Sequence, residues 1–139
     1  MWIQSFSHLS AGTADALWKR LTDVPTWTEW SPGFKSTAID GAFEVGSTIC
    51  SVTYDNTKIQ SLILEVNPGR SFTDLTVLGS AQIKVRHEVF DHLDGGSEVR
   101  FTMQIDGELS RSEAADLGAS LSAQIPEVLQ SLASSVPAN

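Results

Sequence analysis

Two hydrophobic periods divide the chain. In its last third, Leu117, Leu121, Ile125, Val128 and Leu132 recur at steps of 4, 4, 3 and 4, which is the spacing of one face of an α-helix. This predicts a long helix over Ser110 to Ser135. Ser110 followed by Glu113 has the form of a capping box, in which the Ser oxygen accepts an early backbone N–H and the Glu reaches back. Asp116 adds negative charge near the positive end of the helix dipole. Glu113, Ser120, Glu127 and Ser134 fall on the other face and should meet water. Ala114, Ala115, Gly118, Ala119, Ser122 and Ala123 fill the first half. They suit either close packing or a space left between helix and sheet. Pro126 has no N–H and its ring opposes the carbonyl of Ser122, so a kink or break is expected there.

Ahead of that helix the period is mostly two. Trp2 to His8 alternates and reads as a first strand. Ser10 is the candidate N-cap of a short amphipathic helix carrying Ala14, Leu17, Trp18 and Leu21 and ending near Thr22. Asp23-Val24-Pro25 opens a second short helix with Pro in its first turn, and Ser31-Pro32-Gly33 ends it. Strands follow at Phe34 to Ile39 and at Gly46 to Tyr54, the latter with Cys50, Val52 and Tyr54 on one face. Thr57 to Val66 has apolar residues on both faces: Leu62, Leu64 and Val66 against Ile59 and Ile63. Its inner face stays unassigned. After the turn Asn67-Pro68-Gly69, Ser71 to Leu78 is a strand closed by Gly79-Ser80. Two clear strands come last. Ile83, Val85, His87 and Val89 alternate with polar residues, as do Val99, Phe101, Met103 and Ile105, and Asp94-Gly95-Gly96 joins them as a hairpin. One wet and one dry face is the mark of an antiparallel sheet covered on one side. The expected fold is α+β: a concave antiparallel sheet gripping one long helix, in a single domain over residues 1–139.

Composition narrows the partners. A net charge of −8 argues against nucleic acid or an anionic membrane as the main partner, since both need a basic surface. Cys50 is the sole cysteine, so neither an intrachain disulfide nor a cysteine-rich metal site is expected. Met1 to Ser10 does not read as a signal peptide. No run approaches the roughly 18 apolar residues of a membrane span. A cytoplasmic location is the default expectation.

His87 is the sharpest chemical candidate, because its face is otherwise apolar. It is either a core histidine bonded to a backbone carbonyl or to Tyr54, or a ligand contact and acid/base group. Asp74 points inward if Phe72 and Thr76 do. The apolar count of Thr73, Leu75 and Val77 favours the opposite parity, with Asp74 solvated. Trp27 and Trp30, three residues apart, are either core or an aromatic lip. Tyr54 offers an apolar ring with a polar tip, and Met103 a flexible side chain. Cys50, on an expected inner face, reads as buried and inert. Arg70 reads as a surface residue, and Arg86 and Arg100 as cross-strand partners of Glu88 and Glu98. No phosphate loop, dinucleotide fingerprint, zinc-protease helix or nucleophile elbow occurs, and the histidines lack metal-ligand spacing.

Several runs occur in a telling order: Leu17-Trp18, Asp23-Val24-Pro25-Thr26-Trp27-Thr28-Glu29-Trp30-Ser31-Pro32-Gly33, Phe43 to Gly46, Glu65-Val66-Asn67-Pro68, and the hairpin Phe90 to Gly107. Together they resemble the START-like or SRPBCC superfamily, in its polyketide cyclase/dehydrase and lipid-transport type. The resemblance covers essentially the whole chain. It implies a helix-grip fold, with a seven-stranded antiparallel curved sheet (β-α-α-β6-α) wrapped around a long C-terminal helix, and an entrance bordered by the short helices. The expected function is binding of a small hydrophobic ligand, whether aromatic, lipid or polyketide-like, in a cavity lined by Trp30, Tyr54, His87, Phe101, Met103, Leu117 and Leu121. No metal or cofactor is expected. The alternatives are a cyclase or dehydratase in which His87 moves a proton, and a packed interaction module without a cavity. The second face of Thr57 to Val66 could serve a homodimer.

Overall fold

The computed structural model describes residues 1–138. Seven strands form one antiparallel sheet: β1 (Trp2–Ser10), β2 (Phe34–Ile39), β3 (Thr48–Thr53), β4 (Lys58–Asn67), β5 (Ser71–Leu78), β6 (Ala81–Asp91) and β7 (Ser97–Gly107). The spatial order is β1-β7-β6-β5-β4-β3-β2. Each consecutive pair from β2 to β7 is a simple antiparallel neighbour, and β1 closes the far edge against β7. The sheet is curved and the C-terminal helices lie in its grip.

One face of the sheet is dry. β7 buries Val99, Phe101, Met103 and Ile105, and β6 buries Ile83, His87 and Val89, as their alternation predicts. The parity of β5 then follows from its turn. Leu78 pairs with Ala81 across Gly79-Ser80, and Gly79 takes a φ of +57°, which glycine adopts at little cost. Counting back, Thr76 faces Ile83, Asp74 faces Val85 and Phe72 faces His87. Phe72 and Asp74 are therefore inward and buried. The expectation of an inward Thr73, Leu75 and Val77 is reversed.

β4 resists a period-two reading because its register shifts between Ile63 and Glu65. An extra residue in one strand breaks the alternation. Ile63 and Val66 thus oppose inward residues of β5, namely Asp74 and Phe72, while Leu62 and Leu64 are exposed. Ile59 and Ile63 belong to the inner side, so they supply no dimer surface. The parity of β3 is also opposite to expectation. Ile49 and Ser51 are buried, Cys50 is only half-buried, and Tyr54 lies past the strand end at 70% exposure.

The helices differ from expectation in their details. Helix α1 spans Ala14–Thr22, and its N-cap is Thr13, whose side chain accepts from the Ala16 N–H at 3.1 Å. Ser10 ends β1 instead, donating to the Ala133 carbonyl at 2.9 Å. The second short helix is a 3-10 helix, Val24–Glu29, tied to β2 by Thr37 Oγ1 donating to the Val24 carbonyl. The long helix is broken into α2 (Arg111–Ser122) and α3 (Ile125–Ser134), with Pro126 in the first turn of α3. Ser122 Oγ also donates to the Gly118 carbonyl at 2.6 Å, a back-bond that bends helices. The capping box of Ser110 and Glu113 forms as expected.

The break shifts the buried stripe. Helix α2 buries Ala114, Gly118 and Ser122, while α3 buries Ile125, Leu129, Leu132 and Ala133. Leu117 is half-buried and Leu121 exposed. The small residues of α2 therefore serve close approach. A Cβ on Gly118 would stand 2.5 Å from the Trp2 ring. Gly118→Ala should destabilise the fold by about 1–3 kcal/mol through overpacking. In a Trp2→Ala background the same change should stabilise it by up to about 1 kcal/mol, the helix-propensity gain. Urea denaturation of the four proteins checks the reversal of sign.

Candidate functional site

The helices do not cover the whole inner face. Helices α1, α2 and α3 pack against β1, β6 and β7, and the 3-10 helix packs against β2. Much of the inner face of β3, β4 and β5 is left to line a pocket of about 220 Å³. Ser51, Ile59, Ser61, Asp74 and Thr76 come from those strands, Val85 and His87 from β6, and Phe101 and Met103 from β7. Trp27 and Trp30 close the end next to the 3-10 helix, and Leu121 and Val128 form the helical wall. Of the lining residues, Leu78 and Leu121 are the exposed large apolar ones, so the mouth lies between the end of β5 and the end of α2.

Behind the pocket stands an aromatic cluster centred on Phe72, which is fully buried. Its ring meets Phe43 and Trp18 edge-on at 4.8 and 6.4 Å and stacks with Trp27 at 6.3 Å. Trp27 is locked by its indole N–H donating to the Leu21 carbonyl at 3.0 Å. His87 lies flat against Phe72 at 4.0 Å and edge-on to Phe101 at 4.5 Å. Its Nδ1 lies 3.3 Å from the Phe72 carbonyl. A carbonyl can only accept, so Nδ1 carries the proton, and the neutral ring keeps Nε2 as an acceptor. Burial pushes the pKa of His87 down to about 4, against the pull of the Phe72 and Val85 carbonyls. At neutral pH it is an uncharged acceptor in the pocket wall.

Asp74 is the residue that sequence reasoning placed in solvent. It is 7% exposed and lines the pocket. Burial raises its carboxyl pKa to about 7, opposed only by its own backbone N–H. Hairpin parity was the signal that could have found it, because counting back from His87 through Gly79-Ser80 puts Asp74 on the dry face. A second polar group is stranded nearby. The indole N–H of Trp30 is buried without a hydrogen-bond partner, an arrangement that costs about 1–3 kcal/mol.

Of the expected lining, Trp30, His87, Phe101, Met103 and Leu121 meet in the pocket. Tyr54 does not, because it follows β3 on the outward parity, and His87 bonds to Phe72 in its place. Leu117 does not either; it packs against the core. Cys50 is turned to the outer face by the parity of β3. Arg86 and Arg100 pair along their own strands with Glu88 at 3.7 Å and Glu98 at 3.0 Å, not across strands. Arg100 also lies over the Phe90 ring. Two hollows of about 640 Å³ each occur elsewhere, one beside Arg70 and Arg86 and one on the outer face near Leu62 and Val77. The grip pocket is smaller than either, but it alone combines buried aromatic walls with Asp74 and His87. Among the described residues no three His, Cys, Asp or Glu gather to hold a metal, and no helix is long and apolar enough to cross a membrane.

The family described as polyketide cyclase / dehydrase and lipid transport matches residues 2–136. Among solved structures the chain is similar to XoxI from Bacillus cereus, with a TM-score of 0.78 at 15% identity over 98% of this chain and 96% of that one. A START superfamily protein from Mycobacterium smegmatis superposes with a TM-score of 0.76 at 8% identity, covering 96% of each chain. Truncated norcoclaurine synthase from Thalictrum flavum gives 0.73 at 11% identity over 95% of this chain and 91% of that one. At such identities the likeness is one of fold. No curated protein matches the chain by sequence.

The two buried groups make opposite demands on pH. Asp74 has an ordinary pKa of 3.8 and a folded value of about 7. Between these the folded protein keeps a proton that the unfolded chain has released, so stability falls as pH rises, by on the order of 4 kcal/mol at 1.36 kcal/mol per unit. His87 goes from 6.5 to about 4, so its contribution is lost as pH falls through that window, by on the order of 3 kcal/mol. In the wild type the two slopes largely cancel between about pH 4 and 6.5. Relative to it, Asp74→Asn should gain stability steadily as pH rises across that window, and His87→Phe should lose it. Urea denaturation at several pH values measures this, and parallel curves for all three proteins would sink the assignment.

Proposed function

The chain belongs to the polyketide cyclase/dehydrase and lipid-transport family, and we propose that it binds a small, largely apolar molecule between the inner sheet face and helices α2 and α3. The observation that carries this reading is the pocket of about 220 Å³ left where the helices do not cover the sheet. It is larger than the roughly 150 Å³ apolar cavity that accepts benzene. One substituted aromatic ring or a short branched chain matches that size. A long acyl chain would have to displace the rim at Leu78 and Leu121. Most of the wall is apolar, so burial supplies the driving force at about 25 cal/mol per Å² before the costs of association. His87 Nε2, Asp74 and the hydroxyls of Ser51 and Thr76 orient the polar end. A packed module without a cavity would need Phe101 and Met103 to fill the grip, and both instead line open volume.

A second reading, an acid/base enzyme of the cyclase or dehydratase kind, is favoured by one observation: Asp74 has a pKa of about 7 in an apolar pocket, where a proton carrier for neutral pH is best poised. In that reading Asp74 carries the proton, and His87, neutral well below pH 7, accepts a hydrogen bond. Conversion of a bound compound into a new product, abolished in Asp74→Leu, separates the enzyme from the binder.

The binding reading is tested with naphthalene, followed by calorimetry and by tryptophan fluorescence, to which Trp27 and Trp30 in the pocket wall contribute. Val85 lies between Asp74 on β5 and Met103 on β7 and lines the pocket. Val85→Phe should fill the space with a residue that strands favour. Naphthalene binding should weaken at least tenfold, while the melting temperature stays close to that of the wild type. Equal affinity in the two proteins would place the ligand elsewhere.

A further inference from the structure

The pocket holds an acid and no cation to match it. Among its lining residues there is no Lys or Arg, and His87 is the one titratable group besides Asp74. The immediate neighbours of Asp74 across the sheet are Ile63 on β4 and Val85 on β6. On the 3-10 helix side and on α2 and α3, Trp27, Trp30, Leu121 and Val128 face the same space, and none of them carries charge. A carboxyl so placed has no cationic partner from the protein. A bound molecule that carries a cation would supply that partner.

The geometry points to a ligand that carries a protonated amine on a single-ring aromatic or similarly compact apolar body, with its ammonium paired to Asp74. Three features of the site agree. Trp27, Trp30 and Phe101 line the pocket, and aromatic rings attract cations through their quadrupoles. His87 Nε2 accepts a hydrogen bond from an N–H. The stranded Trp30 indole leaves a place for one acceptor atom on the ligand body. An anionic head group, such as that of a fatty acid, would meet the Asp74 carboxyl and find no cation in the wall. The inference rests on the binding pocket proposed above.

Binding of such an amine changes the protonation of Asp74. The free pocket holds the carboxyl with a pKa of about 7, so at pH 6 it is mostly protonated. An ammonium drives it to the carboxylate, and the proton leaves to solvent. Close to one proton should therefore be released per amine bound at pH 6. A neutral ligand should release none.

The test uses three compounds with matched skeletons: 2-phenylethylamine, 2-phenylethanol and 3-phenylpropanoate. Each is titrated by calorimetry into the full chain and into Asp74→Asn, and the wild-type titrations are repeated at pH 6 in two buffers of different ionisation heat to count protons. At pH 7 the amine should bind the wild type at least tenfold more tightly than the alcohol, and the carboxylate most weakly. In Asp74→Asn the ratio of amine to alcohol affinity should fall to near one. The ranking of the three compounds in the wild type needs no variant, so it decides the matter even if Asp74→Asn fails to fold. Equal binding of alcohol and amine, or an amine preference that survives Asp74→Asn, overturns the inference. If naphthalene and the alcohol bind while the amine shows no preference, only this inference falls. If none of the four compounds binds, the pocket reading falls with it.

Discussion

Phe72 stacks on the imidazole of His87 at 4.0 Å, and its carbonyl accepts a hydrogen bond from the His87 Nδ1–H. Much else in the molecule depends on that pair. The same phenyl ring is the meeting point of Trp18 from α1, Trp27 from the 3-10 helix and Phe43 from the loop before β3. It therefore ties the short helices to the sheet while fixing the tautomer of a pocket residue. Because side chains alternate along a strand, burying Phe72 also commits Asp74 to the inner face, two residues on. The contact that seals the core thus delivers an acid to the pocket.

The pocket itself follows from the choice of residues in the C-terminal helices. Helix α2 presents Ala114, Gly118 and Ser122 to the sheet, so it can lie close to Trp2 of β1. Helix α3 presents Ile125, Leu129 and Leu132 and fills the grip beside β1 and β7. The break before Pro126 lets the two segments take separate paths. Both paths stay on the β1–β7 side, and the 3-10 helix covers only β2, so much of the inner face of β3, β4 and β5 is left open. Empty volume here results from where the helices sit.

How much of this was legible in the sequence differs by element. The element order, the capping box, the break near Pro126 and the parity of β6 and β7 follow from local signals: caps, proline chemistry and clean alternation over Ile83 to Val89 and Val99 to Ile105. That alternation puts His87, Phe101 and Met103 on the dry face, where they line the pocket. The departures from expectation have separate causes. In β3 and β5 the apolar count misjudged the inner face, because the outer face of the sheet carries Cys50 and Val52 from β3 and Leu75 and Val77 from β5. In β4 the bulge between Ile63 and Glu65 removed the period that the reading needed. Register set by the turns carried the missing information: the two-residue link Gly79-Ser80 passes the clear parity of β6 back to β5 and so to Asp74. The split of the long helix also moved the buried stripe of α2 off Leu117 and Leu121, which no count of apolar steps reveals.

A buried carboxyl without a cationic partner is an odd choice for stability alone. Desolvation makes the folded state less stable as pH rises towards 7, whereas an apolar residue of similar volume in an otherwise apolar wall would carry no such cost. Nothing in the packing requires an acid at this point, since Ile63 and Val85 are its cross-strand neighbours. The indole of Trp30, stranded without an acceptor, is a second polar group for which the fold provides nothing. Such departures from local consistency concentrate at functional sites. A ligand that brings a cation to Asp74 and an acceptor to Trp30 would relieve both, and the free energy lost in the empty state would return as binding energy, stabilising the complex over the free protein. The uncharged surroundings of Asp74, the stranded indole of Trp30 and the open inner face of β3 to β5 then have one common explanation, a site completed by what it binds.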